Sequence, residues 1–145
     1  MAYESCILDG LIAIRWGKEP EVEDVAKYVA ELTSARIIQG SPLVALFIMP
    51  IDSKAPSDSF RKVQAEALPT IMEKVDFCVA VFEGEGFMIA LKRSALGAIL
   101  LLASKRFSIH VRASAEEALL DNPPKPVRFD ARRAITELRR RRLVR

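Results

Sequence analysis

Two uninterrupted apolar runs, Leu43–Met49 and Val75–Phe82, constrain the fold of this chain more than anything else in it. A strand with one wet face alternates polar and apolar side chains. A run without alternation suits a strand covered on both faces, inside a mostly parallel sheet. Pro42 and Pro50 bracket the first run, and proline has no N–H to give to a ladder. Parallel neighbours need a crossover between them, so helices are expected between the strands, packed on the sheet.

The rest of the chain fits that scheme. Ser5–Leu8 and Leu11–Trp16 are β-prone and flank Asp9-Gly10. That dipeptide is favoured in two-residue hairpin loops where both central residues take positive φ, so an antiparallel hairpin is predicted. Pro20 with Glu19, Glu21, Glu23 and Asp24 opens a helix, where carboxylates meet the positive end of the helix dipole. Val22, Val25, Ala26, Val29, Leu32 and Ala35 form its apolar face, and it ends before Gly40. A polar loop from Asp52 to Ser59 leads into a helix from about Phe60 to Lys74, which Pro69 should kink or split.

Glu83-Gly84-Glu85-Gly86 reads as a turn, and Phe87–Ser104 as a third, strongly apolar helix. Arg106–Arg112 alternates, with Phe107, Ile109 and Val111 on one face and Arg106, Ser108, His110 and Arg112 on the other. This predicts a half-exposed strand near a sheet edge. Ser114-Ala115-Glu116-Glu117 has capping-box spacing, and Ala118, Leu119 and Leu120 continue a short helix. Asp130 caps a last helix from Ala131 to about Leu143. The expected order is β-β-α-β-α-β-α-β-α: an α/β fold, with a mixed sheet opening on a hairpin, helices packed on it, and an arginine-rich C-terminal helix. Residues 1–121 form one domain, 122–128 a proline-rich linker and 129–145 a basic helical arm.

The chain's 145 residues suffice for one domain with a real core. No apolar run reaches the roughly 18 residues of a membrane span, and Met-Ala-Tyr-Glu-Ser lacks the marks of a secretory signal, so a cytoplasmic location is expected. Cys6 and Cys78 sit in apolar runs and read as buried thiols. With one histidine and no paired-cysteine spacing, neither a metal set nor a cofactor is expected.

Charge is divided unevenly. From Pro123 onward the formal charge is +7, and Met1–Asn122 carries −4. On a helix, Ala131, Ala134, Ile135 and Leu138 make a narrow apolar stripe, and Arg132, Arg133, Arg139, Arg140, Arg141, Arg142 and Arg145 ring the remaining surface. The partners weighed for these arginines are an acidic protein surface or a second copy, gripped through guanidinium forks; a nucleic-acid backbone; and an anionic membrane with Leu138, Leu143 and Val144 as the apolar side. A solubilising tail is the bland alternative. The protein partner ranks first, with a homodimer through this helix as a further expectation. Nucleic acid is the alternative, because no aromatics interleave the arginines.

The hairpin, Trp16-Gly17, the helix Glu21-Val22-Glu23-Asp24-Val25, the strand Phe77-Cys78-Val79-Ala80-Val81 and the closing Val111–Leu119 together resemble the SpoIIAA-like branch of the STAS superfamily, over about residues 6–120. The resemblance implies a regulatory adaptor or scaffold without a small-molecule substrate. It also implies a phosphoswitch at Ser53 of Asp52-Ser53, in the loop after the first buried strand. Lys54-Ala55-Pro56 follows here, where the family places a small residue and glycine. A distant branch holds lipids in an apolar cavity, and Met88, Ile89, Leu96, Ile99 and Leu100 could line one, although such a face reads first as core.

Catalysis has no visible apparatus. His110 is the only histidine and falls on the polar face of its strand, no Ser or Cys lies in a nucleophile-elbow context, and Glu83 and Glu85 would repel a phosphate. No enzymatic activity is expected.

Overall fold

A computed structural model describes residues 3–50, 57–84, 109–124 and 129–144. Strands β1 (Tyr3–Leu8) and β2 (Leu11–Trp16) form an antiparallel hairpin, in register from Tyr3↔Trp16 to Leu8↔Leu11. Only Gly10 takes positive φ, 76°; Asp9 does not. The turn is therefore not the one expected from Asp-Gly, in which both residues go left-handed. It resembles a turn that needs glycine at its second central position alone.

Helix α1 (Val22–Gln39) opens on a reciprocal box between Glu21 and Asp24 and stops at Gly40, whose φ of 70° suits glycine and whose N–H returns to Arg36. Strand β3 (Val44–Met49) is buried at every residue, and it lies parallel to β2 and to β4 (Phe77–Phe82). Asp76 fixes the start of both, accepting from the Leu43 N–H at 2.7 Å, the Ser41 hydroxyl at 3.0 Å and Arg36 at 2.6 Å.

Helix α2 (Asp58–Lys74) begins where the Ser57 hydroxyl accepts from the Phe60 N–H, and it runs unbroken through Pro69. The expected split does not occur. Pro69 and Ala65 are both exposed, so the carbonyl that loses its partner faces water. Phe60, Leu68 and Ile71, all buried, anchor the helix on both sides of the proline.

Strand β5 (Ile109–Arg112) pairs parallel to β4 and completes a mixed five-stranded sheet in the order β1-β2-β3-β4-β5. The predicted helix Phe87–Ser104 and the residues Arg106–Ser108 lie outside the described residues.

Both faces of the sheet are covered. Ile12, Ile14, Trp16, Ala45, Phe47, Cys78 and Phe82 pack under α1 and α2 with Tyr28, Leu32 and Phe60. The opposite face, with Cys6, Leu11, Ala13, Leu46, Ile48, Val79 and Val81, packs under α3, a single π-type turn (Glu117–Asp121), and α4 (Ala131–Arg140). Ser114 accepts from the Glu117 N–H at 3.1 Å, but the Glu117 carboxylate reaches the Ala113 N–H, one residue beyond the expected box. Cys6 and Cys78 are buried free thiols on opposite faces, so the sheet itself stands between them. No helix among the described residues is long and apolar enough to cross a membrane.

Candidate functional site: an arginine face built on the sheet

The arginine-rich helix is a structural layer of the fold. The Asp130 carboxylate accepts from the N–H groups of Arg132 at 2.9 Å and Arg133 at 3.2 Å, which starts α4 at a defined residue. Ala134, Ile135 and Leu138, at three- and four-residue steps, are buried against the sheet. At the other end Arg142 adopts φ 60°; its N–H bonds Arg139 O at 3.0 Å and the Leu143 N–H bonds Leu138 O at 2.9 Å. This is the Schellman pattern, which turns the chain back so that Leu143 packs near Leu138. Leu143 and Val144 are buried in the same cluster.

Arg15 clamps that return. It is the one charge in β2, on the face that α4 covers, and it donates to Leu143 O at 2.8 Å and to the Glu83 carboxylate at 2.6 Å. Glu83 is only 4% exposed, and its attachment to Arg15 ties the end of β4 to the end of the chain. By sequence alone Glu83 belongs to a simple turn and Arg15 has no evident role. The available signal was the lone charge inside an otherwise apolar strand.

With the apolar stripe turned inward, the guanidinium groups of Arg132, Arg133, Arg139, Arg140, Arg141 and Arg142 are exposed. Arg132 and Arg133 recur seven residues later as Arg139 and Arg140, two helical turns or about 10 Å along the same outward face. Carboxylates are interleaved with them. Arg140 holds Glu137 at 2.5 and 3.0 Å, Arg141 holds it at 2.8 Å, and Arg139 pairs with Glu116 of the turn that precedes α3. The Arg140 hydrogen bonds, then those of Arg141, bring the Glu137 carboxyl down to about 2 and raise both guanidinium groups. Arg132, Arg133 and Arg142 have no ion pair among the described residues. Beside Arg133 an open groove of about 510 Å³ is lined by Leu8, Asp9, Phe129, Asp130 and Glu137. Arg145 and Ser53 lie outside the described residues.

Comparisons bring no relative. No family model, curated protein or solved structure matches the chain.

The other titratable groups are held by packing. The β5 register sets His110 beside Val79, on the same face as Phe77, and the imidazole lies flat on the Phe77 ring, with centroids 4.5 Å apart and planes at 2°. Burial, then the Arg112 charge, lowers its pKa. Burial pushes the Cys78 thiol up to about 12 and raises that of Cys6. Between α2 and the sheet a cavity of about 60 Å³, lined by Trp16, Phe47, Phe60, Leu68 and Phe82, has the size of a few water molecules.

Proposed function

We propose that this chain is a non-catalytic binding domain, a regulatory adaptor or scaffold, and that it grips an acidic protein surface through the exposed face of α4. One observation carries the reading: the helix spends its whole apolar stripe on the sheet and presents its guanidinium groups from a fixed platform. The backbone of a docked helix has no further order to lose on binding, and arginine forks match carboxylate geometry. The interleaved Glu116, Glu137, Asp130 and Asp9 favour a protein surface, which carries both signs, over a uniform phosphate backbone. A membrane is disfavoured, because Leu138, Leu143 and Val144 are packed inside.

The sequential sheet order, the opening hairpin and the β-α units that follow support the likeness to the SpoIIAA-like STAS branch, whose domains act as adaptors. The non-catalytic part rests on how the reactive groups are held. Both thiols are kept protonated by burial, which removes the nucleophilic form, and the His110 ring is stacked on Phe77. Nucleic acid is the second reading, favoured by Arg132, Arg133 and Arg142, which have no ion pair among the described residues.

A photo-crosslinking residue at Thr136, exposed in the middle of the arginine face, tests this inside cells. The expected product is a discrete protein conjugate, resistant to nuclease and lost in the Arg132→Glu/Arg133→Glu variant. A nuclease-sensitive conjugate transfers the function to nucleic acid. Conjugates unaffected by the double variant refute the arginine face as the binding site.

A further inference from the structure

Among the described residues, strand β1 has β2 as its only neighbour and forms one edge of the sheet. A two-residue connection makes Leu8↔Leu11 a hydrogen-bonded pair. By alternation Glu4, Cys6 and Leu8 turn their backbone groups toward β2, and Tyr3, Ser5 and Ile7 turn theirs outward. The Val44 N–H donating to Gly10 O at 2.9 Å agrees, because it points the even-numbered groups of β2 toward β3. Edges are normally blunted by proline, lysine, a bulge or a covering element. Between Tyr3 and Leu8 there is no proline or lysine, the register is unbroken, and the one charge, Glu4, lies across from Arg15.

Exposed apolar groups stand along this edge. Ile7 is 42% exposed. Ser5 donates to Glu31 at 2.9 Å and the Gly10 N–H to Gln39 at 3.3 Å, so α1 runs beside β1. Ile38, seven residues beyond Glu31, shares that flank and is 74% exposed.

We propose that this edge pairs with the same edge of a second copy, β1 against β1 antiparallel, about a two-fold axis at Ser5. The edge is self-complementary in that register and poorly so in its neighbours. Side chains directly opposite each other must lie on the same face, so the axis has to pass through a residue. At Glu4 it would set two carboxylates against each other. At Cys6 it would set Tyr3 against Asp9, beyond the strand. At Ser5 it sets Tyr3 opposite Ile7 and Glu4 opposite Cys6, and every outward N–H and C=O of Tyr3, Ser5 and Ile7 finds a partner. The Tyr3–Ile7 contacts are an aromatic and β-branched cross-strand pair, formed once at each end of the interface, on the α1 face of a ten-stranded sheet. This interface is independent of the arginine face.

Sedimentation analysis of the full chain tests it. The expected result is a dimer that Ile7→Lys converts to a monomer with unchanged circular dichroism, and that Arg132→Glu/Arg133→Glu leaves intact. Register is read by adding one thiol, because the native cysteines are buried. Ser5→Cys falls in a hydrogen-bonded self-pair with Cα atoms about 5.5 Å apart, within disulfide reach, and cross-links on mild oxidation. Glu4→Cys would face the partner's Cys6 in this register, so the off-register control is Glu4→Cys combined with Cys6→Ala, which does not cross-link. A chain monomeric at all concentrations overturns the proposal, as does a dimer that survives Ile7→Lys or cross-links at Glu4→Cys/Cys6→Ala.

Discussion

Leu138→Ala tests whether α4 belongs to the body of the protein or hangs from it. The Leu138 side chain is fully buried, between the sheet and α3. The substitution deletes three carbon atoms, worth about 2.4 kcal/mol at ~0.8 each. A cavity term adds to this, so the loss is about 3 kcal/mol. Thr136→Ala is the matched control on the exposed face of the same helix, and should stay within about 0.5 kcal/mol. Urea denaturation followed by far-ultraviolet circular dichroism reads both. At a slope of about 2 kcal/mol per molar, the Leu138→Ala midpoint falls by about 1.5 M. Equal midpoints for the two variants would refute the docked helix, and with it the fixed platform of the proposed arginine face.

Two further outcomes follow from the same geometry. Arg142→Gly should stabilise the fold by about 0.5–1 kcal/mol in urea denaturation: a left-handed conformation costs a side-chain-bearing residue about 1–2 kcal/mol, part of which glycine's chain entropy offsets; a destabilised variant would contradict the Schellman ending. Stability should fall as pH rises from about 9 toward 10, with Cys78 contributing up to about 1.4 kcal/mol per pH unit, because its unfolded thiol ionises while the folded one holds its proton; above that range the Tyr3 and Tyr28 hydroxyls, raised by burial, add to the fall. Under reducing conditions Cys78→Ala should flatten urea midpoints measured at pH 8, 9 and 10, and an unchanged slope would place the titration elsewhere.

Much of the fold was legible because its signals are local. The missing alternation in Leu43–Met49 marked a doubly covered strand, Asp9-Gly10 marked the hairpin, and Gly40 and Asp130 marked helix ends. Signals failed where a neighbour decides. Pro69 breaks a helix only if its freed carbonyl is buried, and exposure is set by how α2 sits on the sheet. The end of α4 was placed too late, because the usual glycine is replaced by Arg142, held left-handed by the pull of Leu143 into the core. The stripe of α4 was visible, but its destination was not: the face of the sheet that receives it reads as ordinary buried strand. His110 fell on a polar face by alternation, and only the β4–β5 register brings Phe77 beneath it.

Strands adjacent in the sheet are also consecutive in the chain, so the sheet can grow in the order in which a ribosome releases it, with short loops closing first. α4 follows all five described strands in the chain, and until it docks, the apolar face of Cys6, Leu11, Ala13, Leu46 and Val79 lacks that cover. The arginines reach their final positions only when the helix settles there. Under the proposed function, a partner that recognises their arrangement therefore selects molecules whose α4 is docked over molecules still folding.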